Sequence, residues 1–81
     1  MVLKNAERSW LLDVLGEVRS YLAEANEVDK IVTDILGSAD SMDDFMEKMQ
    51  NRHRLLRDPL IRTDLRIYLG RLQRQTRTQQ V

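Results

Sequence analysis

Apolar residues recur through the first half of the chain at gaps of three and four: Leu11, Val14, Val18, Tyr21, Ala25, Val28, Val32 and Ile35. This is the a/d seam of a coiled-coil heptad, widened at e positions by Leu15, Leu22 and Leu36. The pattern predicts one long amphipathic helix over about residues 6–36, which at 1.5 Å per residue spans about 45 Å. Asn5 is placed to cap its start, with Glu7 in the first turn where the helix dipole favours an anion. Gly16 costs about 1 kcal/mol relative to alanine in a helix interior but does not have to end it. Ala25-Asn26-Glu27 is the weakest stretch, so the alternative is a break near Asn26. Gly37 is placed to end the helix as a left-handed cap.

A second amphipathic stretch follows the short Ser38-Ala39-Asp40 connection. Met42, Phe45, Met46, Met49, His53 and Leu56 share one face, predicting a helix over about residues 42–57. Ser41 followed three residues later by Asp44 has the form of a capping box. Asp58-Pro59 then marks a restart: proline disfavours helix at the preceding residue and suits the first helical position, and Asp58 can cap the new amides. The third helix, about residues 59–75, puts Ile61, Leu65, Tyr68, Leu69 and Leu72 on one face. Arg62, Arg66, Arg74 and Arg77 lie away from that face, and the polar residues 77–81 read as a frayed tail. Nothing alternates with the period of two that a strand needs. The expected fold is all-α: a single domain in which the long N-terminal helix packs against a two-helix hairpin, forming a small helical bundle.

With 81 residues the chain is one domain at most. Cores this small rarely supply more than about 3–5 kcal/mol, and no cysteine is present to staple the fold or bind metal as thiolate. His53 is the sole histidine, so a zinc site would need three carboxylates around one imidazole. Association with another chain is the remaining remedy. The eleven a/d/e residues from Leu11 to Leu36 form a stripe longer than either later helix can cover, which favours a homodimer or a tight hetero-complex. No signal-peptide pattern or membrane-length apolar run occurs, so the expected setting is cytoplasmic, with no membrane.

Net charge is zero, but the two halves are opposite. Residues 1–50 carry five basic and eleven acidic side chains, whereas residues 51–81 carry eight arginines, no lysine, and only Asp58 and Asp64 as acids. Arginine without lysine suits bidentate contacts to carboxylate or phosphate. Three acceptors fit: the chain's own acidic half, with Glu17 and Glu24 at g positions; an acidic surface on another protein; or nucleic acid. A neutral domain whose third helix has Tyr68 as its sole aromatic, on the apolar face, argues against nucleic acid.

Catalytic motifs are missing: no Gly-rich phosphate loop, no Gly-x-Ser-x-Gly elbow, no His-Glu-x-x-His. Asp43 and Asp44 are adjacent carboxylates, but neighbours in a helix do not face each other, so they suit a helix N-terminus better than acid–base work. Nothing in the sequence calls for a cofactor or a small-molecule substrate.

Leu36-Gly37-Ser38-Ala39-Asp40-Ser41-Met42-Asp43 resembles the modification site of acyl carrier proteins, in which an Asp-Ser-Leu motif opens a helix. The resemblance implies a phosphopantetheine arm on Ser41. It covers these eight residues, with Met42 where the family has leucine, and the arginine-rich end departs from that family's acidic character.

The expected function is a non-catalytic protein-interaction module: an adaptor, small chaperone, regulator or inhibitor that presents an amphipathic helical surface. Leu11, Val14, Val18 and Tyr21 would be the partner's anchors, with Trp10 beside them as either a core flap or an interface hot spot. Arg62, Arg66 and Arg74 would supply the charged contacts. The alternative is a nucleic-acid-binding regulator that uses the third helix.

Overall fold

In a computed structural model, which describes residues 3–79 and side chains through Gln75, the chain is all-α. The elements run α1 (Asn5–Val18), a short 3-10 turn η1 (Arg19–Tyr21), α2 (Ala25–Leu36), α3 (Met42–Leu55) and α4 (Pro59–Gln79). α4 is the spine: α1 packs on it, and α2 and α3 pack on it and on each other.

The single long helix expected over residues 6–36 is therefore two helices, and the break lies at Leu22–Glu24, just ahead of Asn26. Leu22 is extended (φ −93°, ψ 136°). Freed from helical pairing, the N–H groups of Ala23 and Glu24 donate to the Asp64 carboxylate of α4, at 3.0 Å and 2.6 Å. Arg19 ties the two sides together, pairing with Asp29 of α2 and donating to Asn26 Oδ1 at 3.3 Å. The break serves coverage. A straight helix of about 45 Å would outrun α4, whose 21 residues span about 32 Å. Folded back at Leu22, both halves of the stripe reach α4.

Most of the stripe is thereby buried within one chain. Leu11, Val14, Leu15, Val18, Val28, Val32, Ile35 and Leu36 are buried, joined by Leu3, Ile31 and Ala39. Phe45, Met49, Leu65, Tyr68, Leu69 and Leu72 close the core from the hairpin. Leu22 and Ala25 are half-buried, and Tyr21 is the stripe residue left out. The radius of gyration, 12.0 Å, matches the value of about 12 Å expected for a folded chain of this length. The stripe that argued for a second chain is thus largely covered within one chain, while Leu12, Leu55 and Leu60 are exposed elsewhere. The methionine face is core as well, with Met42 and Met46 packed against it.

Several helix ends differ from expectation for local reasons. Lys4, not Asn5, is the N-cap of α1, its N–H donating to Glu7 Oε1 at 3.0 Å. Gly37 ends α2 in a right-handed conformation (φ −68°) and is no left-handed cap. Ser41 caps α3 as expected, its Oγ accepting the Asp44 N–H at 3.0 Å. The return bond shifts by one residue: the Asp44 carboxylate accepts from Asp40 N–H at 2.9 Å. α3 stops at Leu55, short of residue 57, because Leu56 is extended ahead of Asp58-Pro59. Asp58 caps α4, accepting the Leu60 N–H at 2.8 Å. α4 runs on to Gln79, past the fraying expected over residues 77–81. Gln75 explains part of this, because its amide is anchored to α1 on both sides: it accepts from Trp10 Nε1 at 3.1 Å and donates to Glu17 Oε2 at 2.8 Å. Residues 80–81 of the expected tail lie outside the described residues.

Candidate functional site

The break at Leu22 shapes the surface as well as the core. It leaves Tyr21, at the end of η1, 74% exposed. Beside it, an open groove of about 290 Å³ runs between η1 and α4. Val18 and Ile67 give the groove apolar lining, Gly70 leaves a flat stretch of α4, and Arg66, Arg71 and Arg74 supply guanidinium groups. On α4 the residues Arg66, Gly70 and Arg74 are spaced by four, so they follow one stripe of the helix surface, and Arg62 begins that stripe one turn earlier.

The expected partner-binding residues divide accordingly. Val18, Tyr21, Arg66 and Arg74 line the groove together. Leu11 and Val14 do not reach any surface; both are core, and the buried Tyr68 hydroxyl donates to the Leu11 carbonyl at 2.8 Å. Burial also raises the Tyr68 phenol's pKa well above its ordinary value. Trp10 is half-buried against the core with its N–H satisfied by Gln75, which makes it a flap over the α1–α4 seam. Arg62 lines a separate, smaller depression of about 190 Å³ with His53, Pro59, Thr63 and Arg66. Arg77's side chain lies outside the described residues.

Electrostatics in the groove are uneven. Arg71 Nε lies 3.4 Å from Glu17 Oε2, the same oxygen that Gln75 holds. A carboxylate is therefore already seated on one edge. Arg62 and Arg66 have no ion-pair partner among the described residues, and both are exposed. Elsewhere the acidic and basic halves do meet, through Arg52 and Asp34 at 2.9 Å. Glu24, the other g-position acid, makes no side-chain ion pair among the described residues.

Tyr21, expected as an anchor for a partner, is exposed because the helix breaks just ahead of the weak stretch Ala25-Asn26-Glu27. Asp64 is the residue that periodicity does not single out. Its signal was present: it falls between Ile61 and Tyr68 on the apolar face of α4, and a buried carboxylate there requires partners. The serine of the acyl-carrier resemblance, Ser41, is exposed and serves as a helix cap after a short turn. Asp44 next to it is held below the ordinary carboxylate range, first by the Asp40 N–H and then by Lys48 at 3.2 Å. Among the described residues no three His, Cys, Asp or Glu side chains come together as a metal site, and no helix is long and apolar enough to cross a membrane.

No family model matches the chain, and neither the curated proteins nor the solved structures include a match to it.

Proposed function

We propose that this protein is a non-catalytic helical interaction module, an adaptor, small chaperone, regulator or inhibitor, that engages another protein through the groove beside Tyr21. One observation carries the reading: an aromatic residue left three-quarters exposed next to apolar lining and arginines. Such a ring loses free energy in water that a partner would recover, and tyrosine and arginine are enriched among interface hot spots. The covered core supports a chain that acts as a monomer toward a different protein, because its own stripe no longer asks for a second copy.

A nucleic-acid reading gains one observation too. Tyr21 stands among arginines, the arrangement of a base-stacking platform. Against it stand the zero net charge and the eleven acidic residues of the first half.

Photo-crosslinking tests the proposal. A photoreactive residue at position 21 should give discrete protein adducts in extracts of the source cells, lost on Arg66→Glu, while one at exposed Glu47 should not. Adducts equally abundant from both positions would reject the groove, and adducts removed by nuclease would transfer the reading to nucleic acid.

A further inference from the structure

We infer that the groove takes an acidic polypeptide segment, with a bulky apolar side chain seated over Gly70 and carboxylates on either side reaching Arg66 and Arg74. This rests on the protein-interaction reading above and names the chemistry of the partner.

Gly70 is the starting point. A Cβ at this position would meet nothing within 4 Å, so the packing of this chain does not ask for glycine there. Glycine is nevertheless disfavoured in a helix interior. A bare stretch of helix beside an apolar-lined groove is what a close-approaching side chain requires, and Val18 and Ile67 supply apolar contact for it. The charges then set the flanks. Arg66 and Arg74 are eight residues apart on α4, about 12 Å along its axis. Arg66 is exposed with no ion-pair partner among the described residues. Complementary charge on the occupant is negative at both ends and apolar between.

Carboxylate is favoured over phosphate by what the groove already holds. Glu17 sits on Arg71 and Gln75 at its edge, showing the geometry in which these side chains accept a carboxylate.

The test uses a displayed library of random dodecapeptides, panned on the intact protein and counter-selected on the Tyr21→Ala/Arg66→Glu double variant. Recovered peptides are titrated by fluorescence anisotropy against wild type, Gly70→Ala and Gly70→Leu, beside a short oligothymidylate. The expected consensus is a bulky apolar residue flanked by Asp or Glu. Its binding should weaken about tenfold or more in Gly70→Leu, an effect worth about 1.4 kcal/mol. Melting temperature should hold or rise in both glycine variants, which separates lost binding from lost folding. Groove-dependent peptides without acidic flanks would overturn this inference and leave the interaction module standing. Binding indifferent to Gly70→Leu would overturn the seat over Gly70. Failure to enrich any groove-dependent peptide would overturn both, as would oligothymidylate binding in the peptides' place. Concentration-dependent dimers that Arg66→Glu dissolves would make the occupant a second copy and overturn the inference as stated.

Discussion

The carboxylate of Asp64, on α4, accepts the backbone N–H of Glu24 at 2.6 Å, and so a side chain 40 residues away holds the chain just ahead of α2. The second oxygen takes the neighbouring Ala23 N–H at 3.0 Å. Asp58 and Asp64 are the two acids of the arginine-rich half, and both hold backbone N–H groups: Asp58 caps α4 locally, and Asp64 reaches across the fold to the two residues ahead of α2. Asp64 is 2% exposed, whereas Ala23 and Glu24, whose N–H groups it holds, lie at the surface. Asp64→Ala should cost about 1.5–3 kcal/mol, the range for a hydrogen bond to a charged group. Asp64→Asn should cost less, since one amide oxygen still accepts. Urea denaturation gives the magnitude. Hydrogen exchange at Ala23 and Glu24 should accelerate selectively in the alanine variant, and unchanged exchange there would show that the Asp64 carboxylate is not what holds the break.

Much of the fold could be read from spacing alone. The proline restart, the Ser41 cap and the apolar faces of α3 and α4 all rest on local rules, and local rules are visible in sequence. The break at Leu22–Glu24 is of another kind. No glycine or proline marks it, and it is stabilised by the Arg19–Asp29 pair across the break and by Asp64, a contact that exists only once α4 has packed against it. For the same reason the groove was half legible. Periodicity identified Val18, Tyr21, Arg66 and Arg74 singly, but a straight helix would have buried Tyr21 where the bent one exposes it.

Tyr68 links α4 to the core of α1 through its bond to the Leu11 carbonyl. Tyr68→Phe should cost about 1 kcal/mol at neutral pH. Burial raises the folded-state pKa of this phenol above the unfolded value of about 10. Its contribution is thus complete below pH ~10, and it is lost as pH climbs above that value, where the unfolded chain releases the proton first. Urea midpoints measured from pH 8 to 11 should fall more steeply for wild type than for Tyr68→Phe. Parallel curves would mean the phenol is ionised as readily in the folded chain as in the unfolded one.

Asp44 gives the opposite sign. Its folded-state pKa is lowered by the Asp40 N–H and by Lys48. The unfolded value lies near ~3.9. The stabilisation it provides is therefore present above that pH and disappears as the solution is acidified through the lower folded value. Replacing Asp44 with Asn should leave a shallower stability profile between pH 5 and 2. The group is exposed, so the difference belongs to the first turn of α3, and amide exchange at Asp40 is where it should be read.

Gly16 lies within α1, where a Cβ would meet nothing within 4 Å. Gly16→Ala should stabilise the protein by about 0.5–1 kcal/mol, since the substitution removes unfolded-state freedom and introduces no clash. In a domain of this size that raises the melting temperature by roughly 2–8 °C. A fall on substitution would reveal strain at this site that the geometry does not contain.

Val18 and Tyr21 share a seam in the heptad pattern and meet different fates at the groove, which makes them the sharpest test of where the core ends. Val18 is buried beneath the groove, packed with the α1–α4 core, while Tyr21 points away from it. Val18→Asp places an unpaired carboxylate in that core, and the desolvation penalty together with the lost valine contacts should unfold a domain this small. Tyr21→Ala removes a side chain that is mostly in water already, so stability should stay within about 0.5 kcal/mol of wild type. The two variants also separate a monomer from an obligate dimer. If the chain closes its own core, light scattering should return the 9.5 kDa monomer, and wild-type melting should be independent of protein concentration. Val18→Asp should then abolish the helical signal without passing through a folded dissociated state. Were melting to shift with concentration, and were Tyr21→Ala to dissolve the assembly while leaving the helices intact, the exposed ring would belong to an interface between copies of this chain.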